Sequence, residues 1–300
     1  MYHLIDESIQ QARFNDFLEF ADAALKQDKT NSLEAVLKIA LRATSIGQVF
    51  AVAYRSALQV LVPSLNNTQW AALCVTEPQG NHPKQLKTRV DSQGLLTGHK
   101  SFVTMAQQAS QLIVIAKATD DEQIPLSQNG RPVLKAVLLQ QPAKGVLIKE
   151  MPEMNLVPDI RHGQIELDHA QGIILPGDGH DNYSKYFRYL EDIHVLMAFV
   201  SLILSTSIRH QLKPEINEKC LLLIASVLSQ ELKDAPWQHL FLAGAFDEFE
   251  KIVDSFEESF NRLPQEFVAC WQRDKKLFTI AAKARLARTE KARIWLSERG

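Results

Sequence analysis

Glu191, Asp192 and His194 crowd into one short stretch, FRYLEDIHVLMAF, that opens a long apolar run. Glu191 and His194 are three apart, so on a helix they share a face with Phe187 and Leu190. An acid–imidazole pair in that setting could take up and release a proton. The same spacing also fits a polar helix entry whose carboxylates are favoured by the helix dipole. A second stretch, CVTEPQGNHPKQLKTRV (74–90), places a Thr-Glu-Pro turn after an apolar run. Pro78 pushes Glu77 away from helical backbone, which suits the end of a strand. The same turn carries Asn81, an amide donor, and His82, a titratable ring that on an exposed loop is most often simply solvated. The three cysteines, Cys74, Cys220 and Cys270, form no C-x-x-C pair and argue against a disulfide framework or a zinc site.

The elements that must hold these residues follow from composition and periodicity. Three hundred residues with 46% hydrophobic and 23% charged side chains can bury a sizeable core. A net charge of -2 with interleaved signs gives no footprint for a phosphate backbone, so nucleic acid is not an expected partner. The first residues lack a basic segment followed by an apolar core, so no signal peptide is expected, and cysteine usage points to a reducing, cytoplasmic setting. The run from Ile193 to Ile208 falls short of the ~20 apolar residues that span a bilayer and reads as a buried helix.

Apolar residues recur at helical spacing up to Val62, as in Phe14, Phe17, Ala21 and Leu25. Ten of the twelve glycines precede residue 180, and from Gly94 onward they punctuate short apolar runs at 112–118, 133–140, 145–151 and 163–169, which read as strands. Long periodic segments then cover 182–211, 215–232, 237–261 and 265–298, with breaks at Pro214 and Pro264. The expected fold is α+β: N-terminal helices (1–70), a small β domain of barrel or sandwich type (71–178) and a C-terminal helical bundle (179–300). In the last segment the basic residues Lys283, Arg285, Arg288, Lys291 and Arg293 read as a solvated face, with Leu277, Ile280, Ala281, Ala284, Leu286 and Ile294 turned inward.

Two linked segments carry a family resemblance. AALCVTEPQGNHPKQLKT followed by GHKSFVT is similar to the Thr-Glu-Pro, Gly-Ser-Asp and Gly-x-Lys-x-Trp-Ile-Thr motifs of the acyl-CoA dehydrogenases, and EMNLVPDIRHGQIELDHAQGIILPGDG resembles a further stretch of the same family. The resemblance implies a flavoprotein holding FAD and acting on an acyl-CoA or related thioester, with a homodimer as assembly. By that likeness Cys74, Val75, Thr76, Phe102 and Thr104 fall to the flavin, with Phe102 in place of the usual tryptophan. Asn81 and His82 fall to the substrate side, where the family has serine and aspartate. RHQLKPEI is a weak match to an Arg-x-x-Phe-Gly-x-x-Ile motif and gives Arg209 to the cofactor, although Leu212 and Lys213 stand where Phe and Gly belong.

The departures concern catalysis. No paired glycines follow residue 180, and no late Tyr-Glu-Gly-Thr segment supplies the carboxylate that removes the α-proton. Some family members carry that base on the first C-terminal helix, and the corresponding text here contains Glu191, Asp192 and His194, out of register by one position. The expectation is an acyl-CoA dehydrogenase-like oxidoreductase with reduced or lost activity. The alternative is a non-catalytic relative that binds an acyl chain or a protein.

Overall fold

The computed structural model describes residues 1–14, 16–26, 31–119, 123–128 and 130–299. Four helices come first: α1 (Tyr2–Gln10), α2 (Phe17–Leu25), α3 (Ser32–Ala40) and α4 (Ile46–Leu61). Asp16 caps α2 by accepting from Glu19 N at 2.8 Å, and Asn31 caps α3 by accepting from Leu33 N and Glu34 N. Eight strands follow: β1 (Trp70–Cys74), β2 (Arg89–Val90), β3 (Leu95–Thr104), β4 (Ala109–Ala118), β5 (Leu134–Gln140), β6 (Val146–Glu150), β7 (His162–Gln171) and β8 (Ile173–Ile174). A π-helical turn over Gly179–Ser184 leads into α5 (Lys185–Arg209), then α6 (Pro214–Leu228), α7 (Pro236–Glu257), α8 (Gln265–Asp274), α9 (Leu277–Ile280) and α10 (Ala282–Ser297). The proline starts of α6 and α7 lie where the missing N–H has no intrahelical partner to lose. This is the α+β arrangement expected from glycine distribution and periodicity.

The chain divides into two compact units. One comprises Leu61–Met154 and Ile160–Arg188 and contains the sheet. Its strands run in the order β6-β7-β3-β2-β4-β5-β8, with β1 added parallel to β4. Leu96 and Val103 of β3, Leu112, Val114 and Ala116 of β4, Val137 and Leu139 of β5, and Ile165 and Leu167 of β7 share a single core. Strands from both ends of the order therefore wrap around the same apolar interior. In β4 the alternate residues Ile113 and Ile115 are buried as well, which explains why its sequence is a continuous apolar run.

The other unit comprises Met1–Val60, Asn155–Asp159 and Tyr189–Gly300, so the N-terminal and C-terminal helices associate although the sheet separates them in sequence. The excursion at 155–159 is tied down by Val157 N, which donates to the buried Asp274 carboxylate at 2.8 Å. Phe199, Phe249 and Phe278 pack ring to ring, as do Phe256 and Trp271. Among the described residues one helical stretch, 179–209, is long and apolar enough to cross a membrane, and most of its apolar window is buried inside the protein.

The C-terminal end departs from its sequence pattern in two ways. The segment 265–298 is broken into α8, α9 and α10 rather than running as one helix. Its rotation is also not the expected one: Ile280, Leu286 and Ile294 are exposed, whereas Arg285 and Arg288 turn inward. Both guanidinium groups bind the Asp192 carboxylate of α5, and Arg285 lies over the Phe246 ring at 3.9 Å. A buried carboxylate that must be paired outweighs the burial of three aliphatic side chains on a helix with no strong apolar stripe.

Candidate functional site

The Thr-Glu-Pro turn is built around a buried ion pair. After β1 ends at Cys74 the chain leaves the sheet, and Glu77 and Gly80 exchange backbone hydrogen bonds of 3.0 and 2.8 Å. Gly80 takes a φ of +119°, which a side chain would resist. The Glu77 carboxylate is turned inward and accepts from Lys87 N at 2.6 Å, Thr88 N at 3.1 Å and Lys100 Nζ at 2.8 Å. Lys100, with no exposed side-chain surface, also donates to the carbonyl of Val75 at 3.2 Å. Burial opposes the charge on Glu77, but Lys100 and the two N–H donors more than offset it and hold the carboxyl below its ordinary range. One lysine thus fixes the backbone of Val75 while neutralising the carboxylate two residues later.

The second motif meets the first across this pair. Ser101 N donates to the Thr76 carbonyl at 2.8 Å, immediately after Lys100 in β3. Between Lys100 and Val103 the register of β3 against β7 shifts, a bulge that breaks the alternation of faces. Lys100, Ser101 and Val103 are buried, yet Phe102 stands 57% exposed with φ +52°. A bulky aromatic in the left-handed region carries a backbone cost and needs a reason to be there. The bulge exposes the Phe102 ring directly after Lys100 and Ser101, the two residues that hold the Val75 and Thr76 carbonyls.

Thr104 closes β3 and pairs directly with His162, the first residue of β7. The Thr104 hydroxyl lies 3.5 Å from His162 Nε2, and Nδ1 of the same ring is buried without a hydrogen-bond partner among the described residues. Burial holds the imidazole below its ordinary pKa, with the Ile160 carbonyl acting in the opposite sense. Nothing in the local text singles out His162. It opens a strand without periodic context, and only the β3–β7 register brings it to Thr104.

The remaining candidates have other surroundings. Cys74 is fully buried, and burial pushes its thiol up to about 12, so its side chain belongs to the core and only its backbone borders the turn. Asn81 and His82 are exposed on the turn, where His82 Nδ1 accepts from Lys84 N at 3.3 Å. Glu191, Asp192, His194 and Arg209 belong to the helical unit. His194 is fully buried: Nδ1 donates to the Leu190 carbonyl at 2.7 Å, and Nε2 accepts from the Ser32 hydroxyl at 2.8 Å. Burial drives its pKa down to about 4, so the ring is neutral. Its hydrogen bonds go to Leu190 and Ser32 rather than to Glu191, which is half-buried one turn away. Asp192 is buried against Arg285 and Arg288. Arg209 ends α5 and donates to the Gln11 carbonyl at 3.2 Å.

No family model and no curated protein matches the chain. Solved structures do. Butyryl-CoA dehydrogenase from Megasphaera elsdenii superposes with a TM-score of 0.62 at 16% identity, over 98% of this chain and 90% of that one. Acyl-CoA dehydrogenase from Geobacillus kaustophilus gives 0.64 at 12% identity, over 97% and 93%. The FAD complex of PigA gives 0.62 at 13% identity, over 100% and 98%. At such identities the likeness speaks for the backbone alone, and it extends over nearly the whole chain. The chain has the fold of the acyl-CoA dehydrogenases.

Proposed function

We propose that this protein is an acyl-CoA dehydrogenase-like flavoprotein that holds FAD against the bulge of β3 and has reduced or lost dehydrogenase activity toward acyl thioesters. The observation that carries the reading is the joining of two distant motifs: Lys100 and Ser101 clasp Val75 and Thr76, and the bulge beside them exposes Phe102. A flavin ring asks for polar donors along one edge and an aromatic or apolar face. The Val75–Thr76 backbone and the Thr104 hydroxyl fit the first need, and Phe102 fits the second. When bound, the flavin supplies a hydride acceptor. Val75, Thr76, Phe102 and Thr104 are the residues assigned to it, with Cys74 contributing through its backbone and Asn81 and His82 facing a thioester substrate; Arg209, in the helical unit, keeps only the cofactor role that its motif resemblance implies.

Reduced activity is favoured because two of the three candidate bases are committed elsewhere. Asp192 is taken by Arg285 and Arg288, and both ring nitrogens of His194 are taken by Leu190 and Ser32. The same commitments favour the second reading, a non-catalytic relative that binds an acyl chain or a partner. A cytoplasmic homodimer, divided at about residues 70 and 178 as the sequence suggests, is the assembly we assign. The apolar residues exposed on α10 suit such pairing.

The deciding experiment is the absorption spectrum of the purified protein with and without added FAD, followed by turnover of acyl-CoAs of graded length with an artificial electron acceptor. A flavin band near ~450 nm with turnover far below about 10 s⁻¹ is the expected result. No flavin uptake refutes the cofactor assignment. Turnover at an ordinary rate refutes the loss of activity and singles out Glu191, Asp192 or His194 for substitution.

A further inference from the structure

α10 turns Arg285, Thr289 and Ala292 toward the other helices, which leaves Lys283, Leu286, Glu290 and Ile294 on its opposite side at spacings of three and four. Leu286 and Ile294 are each more than half exposed, as are Ile280 at the end of α9 and Leu296 near the end of α10. Trp295 packs against Trp237, the second residue of α7, with ring centroids 6.0 Å apart, and Trp237 too is more than half exposed.

The same segment is cationic. Residues 275–299 hold eight Lys and Arg against Glu290 and Glu298, in a chain whose net charge is -2. Four of the eight are paired within the chain: Arg285 and Arg288 with Asp192, Lys275 with Glu257, and Arg293 with Glu290. Lys276, Lys283, Lys291 and Arg299 are exposed and form no ion pair among the described residues. Arg299 lies over the Trp295 ring at 4.4 Å. Apolar side chains and uncompensated cations thus share one outer surface.

Two copies laid face to face through this surface would oppose like charges, whereas a bilayer carrying anionic lipid would neutralise them. Each exposed apolar side chain stands out from the helix between cations, which suits a deformable layer better than a rigid partner. Lysine stems can lie along apolar surface while their ammonium groups reach headgroups, and tryptophan rings settle at the membrane–water boundary. We propose that this face of the helical unit docks peripherally on a membrane surface bearing anionic lipid. Leu286, Ile294 and Trp237 enter the headgroup boundary, and Lys283, Lys291 and Arg299 meet lipid phosphates. The apolar side chains that suit pairing of copies are then shared with lipid, and the charge around them favours the lipid. The proposal is independent of the flavin reading.

Flotation of the full chain with vesicles of phosphatidylcholine containing about 30% phosphatidylserine, against phosphatidylcholine alone, tests it. The protein should float with the anionic vesicles only and be released by added salt. Lys283→Ser/Lys291→Ser should weaken partitioning about 20-fold, roughly fivefold for each charge lost. Leu286→Ser/Ile294→Ser, which keeps every charge, should weaken it about tenfold. All four side chains are exposed, so both variants should melt with the wild type. Absence of flotation with anionic vesicles overturns the proposal, as does equal flotation with phosphatidylcholine alone or full retention by both double variants. Sedimentation velocity without lipid reads the competing occupant: a dimer that Leu286→Ser/Ile294→Ser dissociates, in a protein that ignores the vesicles, gives the face to a second copy. Binding to polyglutamate that anionic vesicles do not displace gives it to an acidic protein and likewise overturns the assignment to lipid.

Discussion

Lys100→Met removes the cation that pairs with the Glu77 carboxylate and leaves its two backbone donors, Lys87 N and Thr88 N, in place. Both side chains are essentially unexposed, so solvent cannot substitute for the ammonium. Losing one partner of such a pair ordinarily costs roughly 3–5 kcal/mol. Protonation of Glu77 caps the loss. From an ordinary carboxyl pKa near 4.3, carrying the proton at pH 7 costs about 3.5 kcal/mol, and at pH 5 about 1 kcal/mol. In the wild type the depressed Glu77 pKa contributes stability that is present above the unfolded value and is lost on acidification. In the variant the folded-state pKa rises, so the penalty is largest at neutral pH and shrinks as pH falls. Hydrogen exchange on peptides spanning 70–104 reads the opening free energy of this region in place. The expected loss is about 3 kcal/mol at pH 7 and about 1 kcal/mol at pH 5, and Lys100→Met/Glu77→Gln should recover most of the difference. A loss under about 1 kcal/mol at neutral pH, or one that does not change with pH, would refute the claim that a charged pair holds the turn.

Three further expectations concern single positions. Phe102→Gly should stabilise the flavin-free protein by about 0.5–1 kcal/mol, because glycine accepts φ +52° without strain, while FAD affinity falls about tenfold; paired thermal melts and FAD titrations check this, and unchanged affinity would remove Phe102 from the site. His194, with a pKa near 4 when folded, contributes stability present above its unfolded value near 6.5 and lost as pH falls toward 4, worth about 3 kcal/mol in all; His194→Gln should flatten that part of the pH–stability curve in urea titrations. Asp192→Asn leaves Arg285 and Arg288 without their carboxylate and should loosen α10 by about 2–3 kcal/mol, visible as faster hydrogen exchange over 282–297, and unchanged protection there would show that other contacts hold the helix.

The sequence determined the order of elements, because helix and strand periodicities and the placement of glycine are local properties of the chain. The strands at 112–118, 133–140, 145–151 and 163–169 and the long helices after residue 182 were legible for that reason. The motif pair at 74–77 and 100–104 was legible as two pieces of text. That they touch depends on β3 returning beside the end of β1, a long-range pairing with no local signature. The Glu77–Lys100 pair, the left-handed bulge at Phe102 and the contact of His162 with Thr104 exist only once that pairing is made. At α10 local reasoning failed outright: its apolar residues suggested an inward face, but a single buried carboxylate on α5 drew Arg285 and Arg288 inward and turned Leu286 and Ile294 to solvent. Periodicity records which face a helix could bury, whereas the demand of a buried charge comes from another part of the chain, and here the charge set the rotation.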